Sequence, residues 1–206
     1  MAERKSGRAL VLASGSRTRF EILKSAGLAF TVDPADIDEQ ALRKKCQAQT
    51  PPTHPGEIAQ ALAIAKAQAI GARHGNEIII GSDQVLALDE HIFSKPHSRQ
   101  EAVKSLLTLR GKTHALHTAL AIVCNGNIHW QHVETAHLHM RDFSDEYAND
   151  YVRRVGDEAL KSKGAYQIEG PGIQLFDKIE GDYFSILGLP ILPLLKELRA
   201  MGELQP

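Results

Sequence analysis

The chain opens with an apolar run, ALVLAS (9–14), that stops at Gly15 and reads as a buried strand. RTRFEILKSAG (17–27) follows, with helix formers, a lysine near its end and Gly27 as its stop, and predicts a helix. FTVDPADIDEQ (30–40) reads as a strand running into an acidic loop, and the proline-rich KKCQAQTPPTHPGE (44–57) as irregular chain. The alanine-rich stretch from Glu57 is strongly helical and ends near Gly71 or Gly75. In 77–96, the β-branched run EIII meets a small-residue break at GSD, then the alternating VLALD passes a turn at Asp89–Glu90. Residues 98–112 form an amphipathic helix, and 114–140 a β-hairpin turning at Asn125–Gly126. Ser144 caps a further helix with acids in its first turn. A glycine-punctuated loop and strand region (164–190) leads to a closing helix (190–202). This order is mixed α/β with an antiparallel hairpin, which points to an elongated mixed sheet rather than a pure doubly wound one.

Composition narrows the classes. At 206 residues the chain suits one large domain or two small ones, and it is read as a single domain over 1–206 with a flexible stretch at 1–7. A formal net charge of -1 gives no basic excess for a nucleic-acid partner. No apolar run reaches the ~20 residues of a membrane span, and MAERKSG is too short and polar for a signal peptide. Cys46 and Cys124 lack zinc-type spacing and are expected to be plain thiols, so the expected setting is the cytoplasm.

The first strand end carries candidate chemistry. A strand feeding a helix through small residues leaves backbone N–H groups free at the helix start, where the helix dipole favours an anion. Ser14, Gly15 and Ser16 allow close approach, and Arg17 and Arg19 offer forked charge suited to phosphate. The alternative is a capped surface helix with solvated arginines. No Walker loop is present. Asp83, taken alone, is either a turn aspartate or a carboxylate at a strand end able to reach a ligand. Six histidines crowd the hairpin, namely His114, His117, His129, His132, His137 and His139. Their spacing matches no standard zinc motif, and a solvated or partner-facing sheet surface is expected. Trp130 is expected to pack in the same hairpin.

LASGSRTR with EIL, then DIDE, ALAIAKAQA, GSDQV, SKP, GAYQIEG and GLP stand in order over residues 8 to 202. In these motifs the chain resembles the Maf family of nucleotide pyrophosphatases. The resemblance implies an α/β body similar to the inosine-triphosphate pyrophosphatases, with two lobes around a cleft whose boundary the sequence does not draw. It implies cleavage of nucleoside triphosphates to monophosphate and pyrophosphate with a divalent cation, Mg²⁺ or Mn²⁺. The family is also linked to septum formation and arrest of cell division, so a nucleotide-binding regulator with little turnover is the competing class. Family members are often dimers, and a homodimer is the expectation by analogy.

By the same resemblance Asp83 is the general base, and Glu39 joins it at the metal, with Asp36 and Asp38 solvated. Ser14, Gly15, Ser16, Arg19, Lys66 and Lys95 are the phosphate-binding positions. Thr18, Gln84 and Glu169 stand at the positions that track base choice. The branch acting on dTTP and UTP carries arginine, threonine and glutamine there. GSDQV and EGPGI look instead like the branch acting on 7-methyl-GTP. A carboxylate at Glu169 suits the N1–H and 2-amino donors of guanine and would repel the carbonyls of uracil or thymine. A second purine such as ITP, or UTP and dTTP, are the alternative substrates. The chain departs from the pattern in three places. Thr18 replaces a tryptophan usual in the 7-methyl-GTP branch, Arg17 replaces a proline, and Ser162 replaces a lysine, with Lys161 and Lys163 on either side.

Overall fold

The computed structural model describes residues 7–205. The expectation of a flexible start therefore falls, apart from Gly7, outside the described residues. In chain order the elements are β1 (Leu10–Leu12), α1 (Arg17–Ser25), β2 (Phe30–Val32), α2 (Glu39–Gln47), α3 (Pro55–Gly71), β3 (Ile78–Leu88) and β4 (His91–Phe93). They continue with α4 (Arg99–Leu109), β5 (Thr113–Cys124), β6 (Asn127–Met140), α5 (Asp145–Val155), β7 (Phe176–Glu180), α6 (Tyr183–Ile186) and α7 (Ile191–Ala200). Among the described residues the strands form a seven-stranded mixed sheet in the order β2-β1-β3-β5-β6-β7, with β4 paired to β3. β1 is parallel to both β2 and β3. β3–β4 and β6–β7 are antiparallel.

The chain divides into two compact units. The first holds residues up to Gln84, Thr118–Glu134 and Asp182 onward. Its core joins Leu10 and Leu12 of β1, Ile78 and Ile80 of β3, and Leu194 and Leu198 of α7. The second holds Val85–His117 and Thr135–Gly181. There α4 packs on α5, with Leu106, Leu109 and Val152 buried.

Local chemistry explains most boundaries. Ser16 caps α1 through its side chain. Asn125 and Gly126 turn the β5–β6 hairpin at φ 50° and 74°, the pair of positive angles that a type I′ turn needs. The structure departs from the pattern in three stretches. Residues 33–38 are the expected loop after β2, but 39–47 are helix rather than loop and irregular chain, because Asp38 accepts from the Ala41 N–H at 2.8 Å and caps α2. α3 begins at Pro55 rather than Glu57, since proline lacks only an N–H that the first turn does not use, and His54 with Glu57 forms the capping box. GSD is no break, and β3 runs unbroken through it.

The histidines divide by face. His114 is buried and its Nε2 lies 2.7 Å from the Tyr166 hydroxyl. His117 is buried with Nδ1 3.0 Å from Thr135 Oγ1. For these two the expected solvated surface is corrected: they point to opposite faces of β5, an interior strand between β3 and β6 that is buried on both faces over most of its length. His137 stays exposed, and Trp130 stacks on His132 with ring centroids 5.5 Å apart.

Candidate active site

The site grows from the middle of β3, where successive side chains point to opposite faces. Asp83 points to α3 and α2. Ser82 and Gln84 point the other way, to the backbone between Ser185 and Gly188.

Gly81 sets how closely α3 approaches. A Cβ there would stand 2.1 Å from the Ala63 carbonyl oxygen and 2.9 Å from Ala67 Cβ. Only glycine lets the helix sit so near, and Lys66 lies on the turn between those alanines. The Lys66 ammonium consequently reaches Asp83 Oδ1 at 2.7 Å, with both residues buried. The same ammonium meets Glu39 Oε1 at 2.7 Å. Arg43, one turn along α2 from Glu39, places Nη2 at 3.2 Å from Glu39 Oε2 and 3.7 Å from Asp83 Oδ2. Two carboxylates and two cations thus close a ring.

Arg19 belongs to the same neighbourhood. Its Nη1 donates to Ser14 Oγ at 3.0 Å and its Nε to the Gly188 carbonyl at 2.8 Å. Burial pulls its guanidinium below the ordinary arginine range, and the negative charges of Asp83 and Glu39 oppose that shift. Ser14 also accepts from the Ser16 N–H at 3.3 Å, which fixes the loop entering α1. Arg17 is exposed, as in the solvated alternative.

Gln84 is held hard. Its Nε2 donates to Thr118 Oγ1 at 2.9 Å and to the Ser185 and Ile186 carbonyls at 3.0 Å each. Backbone carbonyls only accept, so this contact set fixes which end of the amide is nitrogen. Thr118 in turn donates to the Ser185 carbonyl at 2.8 Å.

Asp83, Glu39, Lys66, Arg19 and Ser14 therefore converge within the first unit. Gly15 and Ser16 border them, and Thr18 is half-buried on the first turn of α1. Lys95 and Glu169 are exposed residues of the second unit.

The model of a family described as Maf-like protein matches residues 9–201. The chain belongs to this family. Among its relatives, the 7-methyl-GTP pyrophosphatase of Brucella abortus biovar 1 (strain 9-941) is 48% identical over 190 residues, covering 92% of this chain and 94% of that protein. The 7-methyl-GTP pyrophosphatase of Rhizobium meliloti (strain 1021) is 45% identical, covering 95% of this chain and 97% of that protein. The nucleoside triphosphate pyrophosphatase of Paramagnetospirillum magneticum (strain ATCC 700264 / AMB-1) is 46% identical, covering 95% of this chain and 100% of that protein.

Three residues of this Maf-like chain escaped the sequence reading. Arg43 had a local signal, since Glu39 and Arg43 are spaced i,i+4 on what proved to be a helix. Ser82 supports the site by donating to the Gly188 carbonyl at 3.0 Å, alongside Arg19. Gly81 lies in GSD, whose small residues suggest a break rather than a close helix contact.

Cation binding can be judged from the donors. Asp83 and Glu39 present hard carboxylate oxygens on one centre, the set that Mg²⁺ uses together with substrate phosphates. Both already bind one cation, the Lys66 ammonium, so the pair suits positive charge. Among the described residues no three His, Cys, Asp or Glu side chains gather as a metal cluster, so the histidine hairpin offers no such centre. No helix among them is long and apolar enough to cross a membrane.

Proposed function

We propose that the chain is a nucleoside triphosphate pyrophosphatase acting on 7-methyl-GTP, releasing the nucleoside monophosphate and pyrophosphate. The observation that carries this reading is the buried Asp83–Lys66 contact, with Glu39 on the same ammonium and Arg19 beside it. A binding protein for a polyanion gains little from carboxylates at its cationic centre, whereas hydrolysis needs a group to take a proton from water. The names of the relatives supply the nucleotide.

In this reading Asp83 orients a water and accepts its proton as the oxygen attacks the α-phosphorus. The bond to the bridging oxygen breaks, and pyrophosphate leaves with the electron pair. Lys66 fixes the carboxylate from below, and Gly81 fixes Lys66. Lys66, Arg19, Lys95 and the N–H and hydroxyl groups of Ser14, Gly15 and Ser16 hold the phosphates. A divalent cation held by Glu39 and Asp83 would offset charge on the phosphates and on the leaving pyrophosphate.

Thr18, Gln84 and Glu169 are assigned to base choice. Glu169 would accept from N1–H and the 2-amino group, and its charge favours a methylated, cationic purine. Gln84 would act from a fixed orientation, its nitrogen being committed to Thr118 and two carbonyls.

The test is pyrophosphate release from 7-methyl-GTP, GTP, ITP, UTP and dTTP, by wild type, Asp83→Asn and Glu169→Gln. The reading expects 7-methyl-GTP to lead, Asp83→Asn to lose turnover and Glu169→Gln to lose the preference for guanine. Another leading nucleotide overturns the substrate assignment. Activity in Asp83→Asn overturns the general base, and no turnover on any nucleotide overturns the enzyme reading.

A further inference from the structure

Arg43 has no part in the proposed chemistry, yet it completes the ring around the general base. Each carboxylate gives one oxygen to Lys66, at 2.7 Å in both cases. Each turns its other oxygen towards Arg43, at 3.2 Å for Glu39 and 3.7 Å for Asp83. The Arg43 arm is the longer and weaker one. Its side chain is 16% exposed, against 10% for Lys66. Lys66 is held by the close packing of α3 on Gly81, whereas Arg43 rides on α2, a short helix with Cys46 as its only residue in the buried class. Arg43 Nε is itself buried with no hydrogen-bond partner among the described residues. A buried donor in that state is unusual and calls for an acceptor.

We infer that Arg43 governs the order in which the site fills: it holds the Glu39–Asp83 pair against a free divalent cation and turns to phosphate when the triphosphate arrives. This rests on the pyrophosphatase reading for its substrate, but its cation-binding half stands on the ring geometry alone. A divalent cation entering by itself must displace or sit beside a guanidinium that neutralises the same two carboxylates. A triphosphate supplies the oxygens that Arg43 lacks, including an acceptor for Nε, and so releases the carboxylates to the cation. The cation then enters with the nucleotide rather than before it. Arg43 is thus a positioning residue for the carboxylates and a phosphate contact in the loaded enzyme.

The experiment measures Mn²⁺ binding by the full chain without nucleotide, from the electron paramagnetic resonance signal of free Mn²⁺. Wild type, Arg43→Gln and Arg43→Lys are compared. Removing one positive charge a few ångströms from a divalent cation is expected to tighten binding on the order of tenfold or more, because the ring is mostly buried. Arg43→Gln therefore binds Mn²⁺ more tightly than wild type, and Arg43→Lys, which keeps the charge, stays close to wild type. With nucleotide, Arg43→Gln shows a raised KM with a smaller change in kcat. Mn²⁺ affinity in Arg43→Gln that is equal to or weaker than wild type overturns the inference, as does Arg43→Lys behaving like Arg43→Gln. The two readings fail separately. Asp83-dependent pyrophosphate release with no change of Mn²⁺ affinity sinks only the role of Arg43. Tighter Mn²⁺ binding by a chain that cleaves no nucleotide sinks only the pyrophosphatase.

Discussion

Replacing Gly81 by alanine tests whether the seating of α3 builds the site. The new Cβ would lie 2.1 Å from the Ala63 carbonyl oxygen, 2.9 Å from Ala67 Cβ and 3.0 Å from Ala67 N. Nonbonded heavy atoms rest at about 3.5 Å, so the worst contact is more than ~1 Å too close. Two of the three atoms are backbone, so no side-chain rotation relieves the clash. Gly81 does not occupy the left-handed region, so the cost comes from space alone. Overpacking of this kind costs ~1–3 kcal/mol, and the rigid neighbours place Gly81→Ala at about 3 kcal/mol. For a chain of this length that is a fall of roughly 6–12 °C in Tm. The catalytic effect should be larger in proportion. If α3 retreats by about 1 Å, Lys66 draws off Asp83, and a misplacement of that size is worth ~10²-fold in turnover. Thermal melting by circular dichroism reads the first effect, and pyrophosphate release from 7-methyl-GTP reads the second. Adding Ala67→Gly removes only the Cβ contact, so it should restore part of the Tm. A Gly81→Ala variant with unchanged Tm and full turnover would show slack between α3 and β3 and refute the argument.

Gly15→Ala separates folding from binding at the α1 loop, because a Cβ there meets only Pro34 at an ordinary 3.8 Å. The Tm should hold while KM for the nucleotide rises about tenfold, the value of one charge-assisted hydrogen bond. An unchanged KM would remove Gly15 from the phosphate site. His114 predicts a pH effect on stability, since burial depresses its pKa from 6.5 to about 4. The unfolded chain takes up that proton below about pH 6.5 and the folded chain does not, so stability is full above 6.5 and falls towards pH 4. The loss reaches roughly 3 kcal/mol, and Tm against pH should be flatter in His114→Phe than in wild type over that window. Parallel profiles would count against a buried neutral imidazole.

The sequence made some features legible because they are local. The Asn125–Gly126 turn, the Ser144 cap and the strand–loop–helix of residues 10–25 each depend on near neighbours, and the structure shows them all. Asp83, Glu39 and Lys66 were named through family motifs, and their meeting at 2.7 Å is tertiary. What stayed hidden depends on distant packing. Gly81 resembles a chain break until the Ala63 carbonyl is seen beside it. His114 is indistinguishable in the sequence from the exposed His129 and His137 of the same hairpin, and only the interior position of β5 in the sheet buries it against Tyr166. α2 is masked in the sequence by the prolines of 44–57, although Asp38, Glu39 and the i,i+4 pair with Arg43 signal it.

The strand period explains why one short motif does so much. Ser82, Asp83 and Gln84 are consecutive, so β3 sends the middle residue to one face and its neighbours to the other. On one face Asp83 meets Lys66. On the other, Ser82 holds the Gly188 carbonyl while Gln84 holds those of Ser185 and Ile186. Arg19 shares the Gly188 carbonyl with Ser82, so the arginine proposed to hold phosphate is registered to the same strand as the proposed base. A shift of β3 by one residue would exchange the two sets and separate Asp83 from Lys66 altogether. Parallel pairing of Leu10, Val11 and Leu12 with Ile78, Ile79 and Ile80 prevents that slip, and all six side chains are buried. The apolar runs that first identified these strands are therefore also what holds the proposed catalytic carboxylate in register with its lysine.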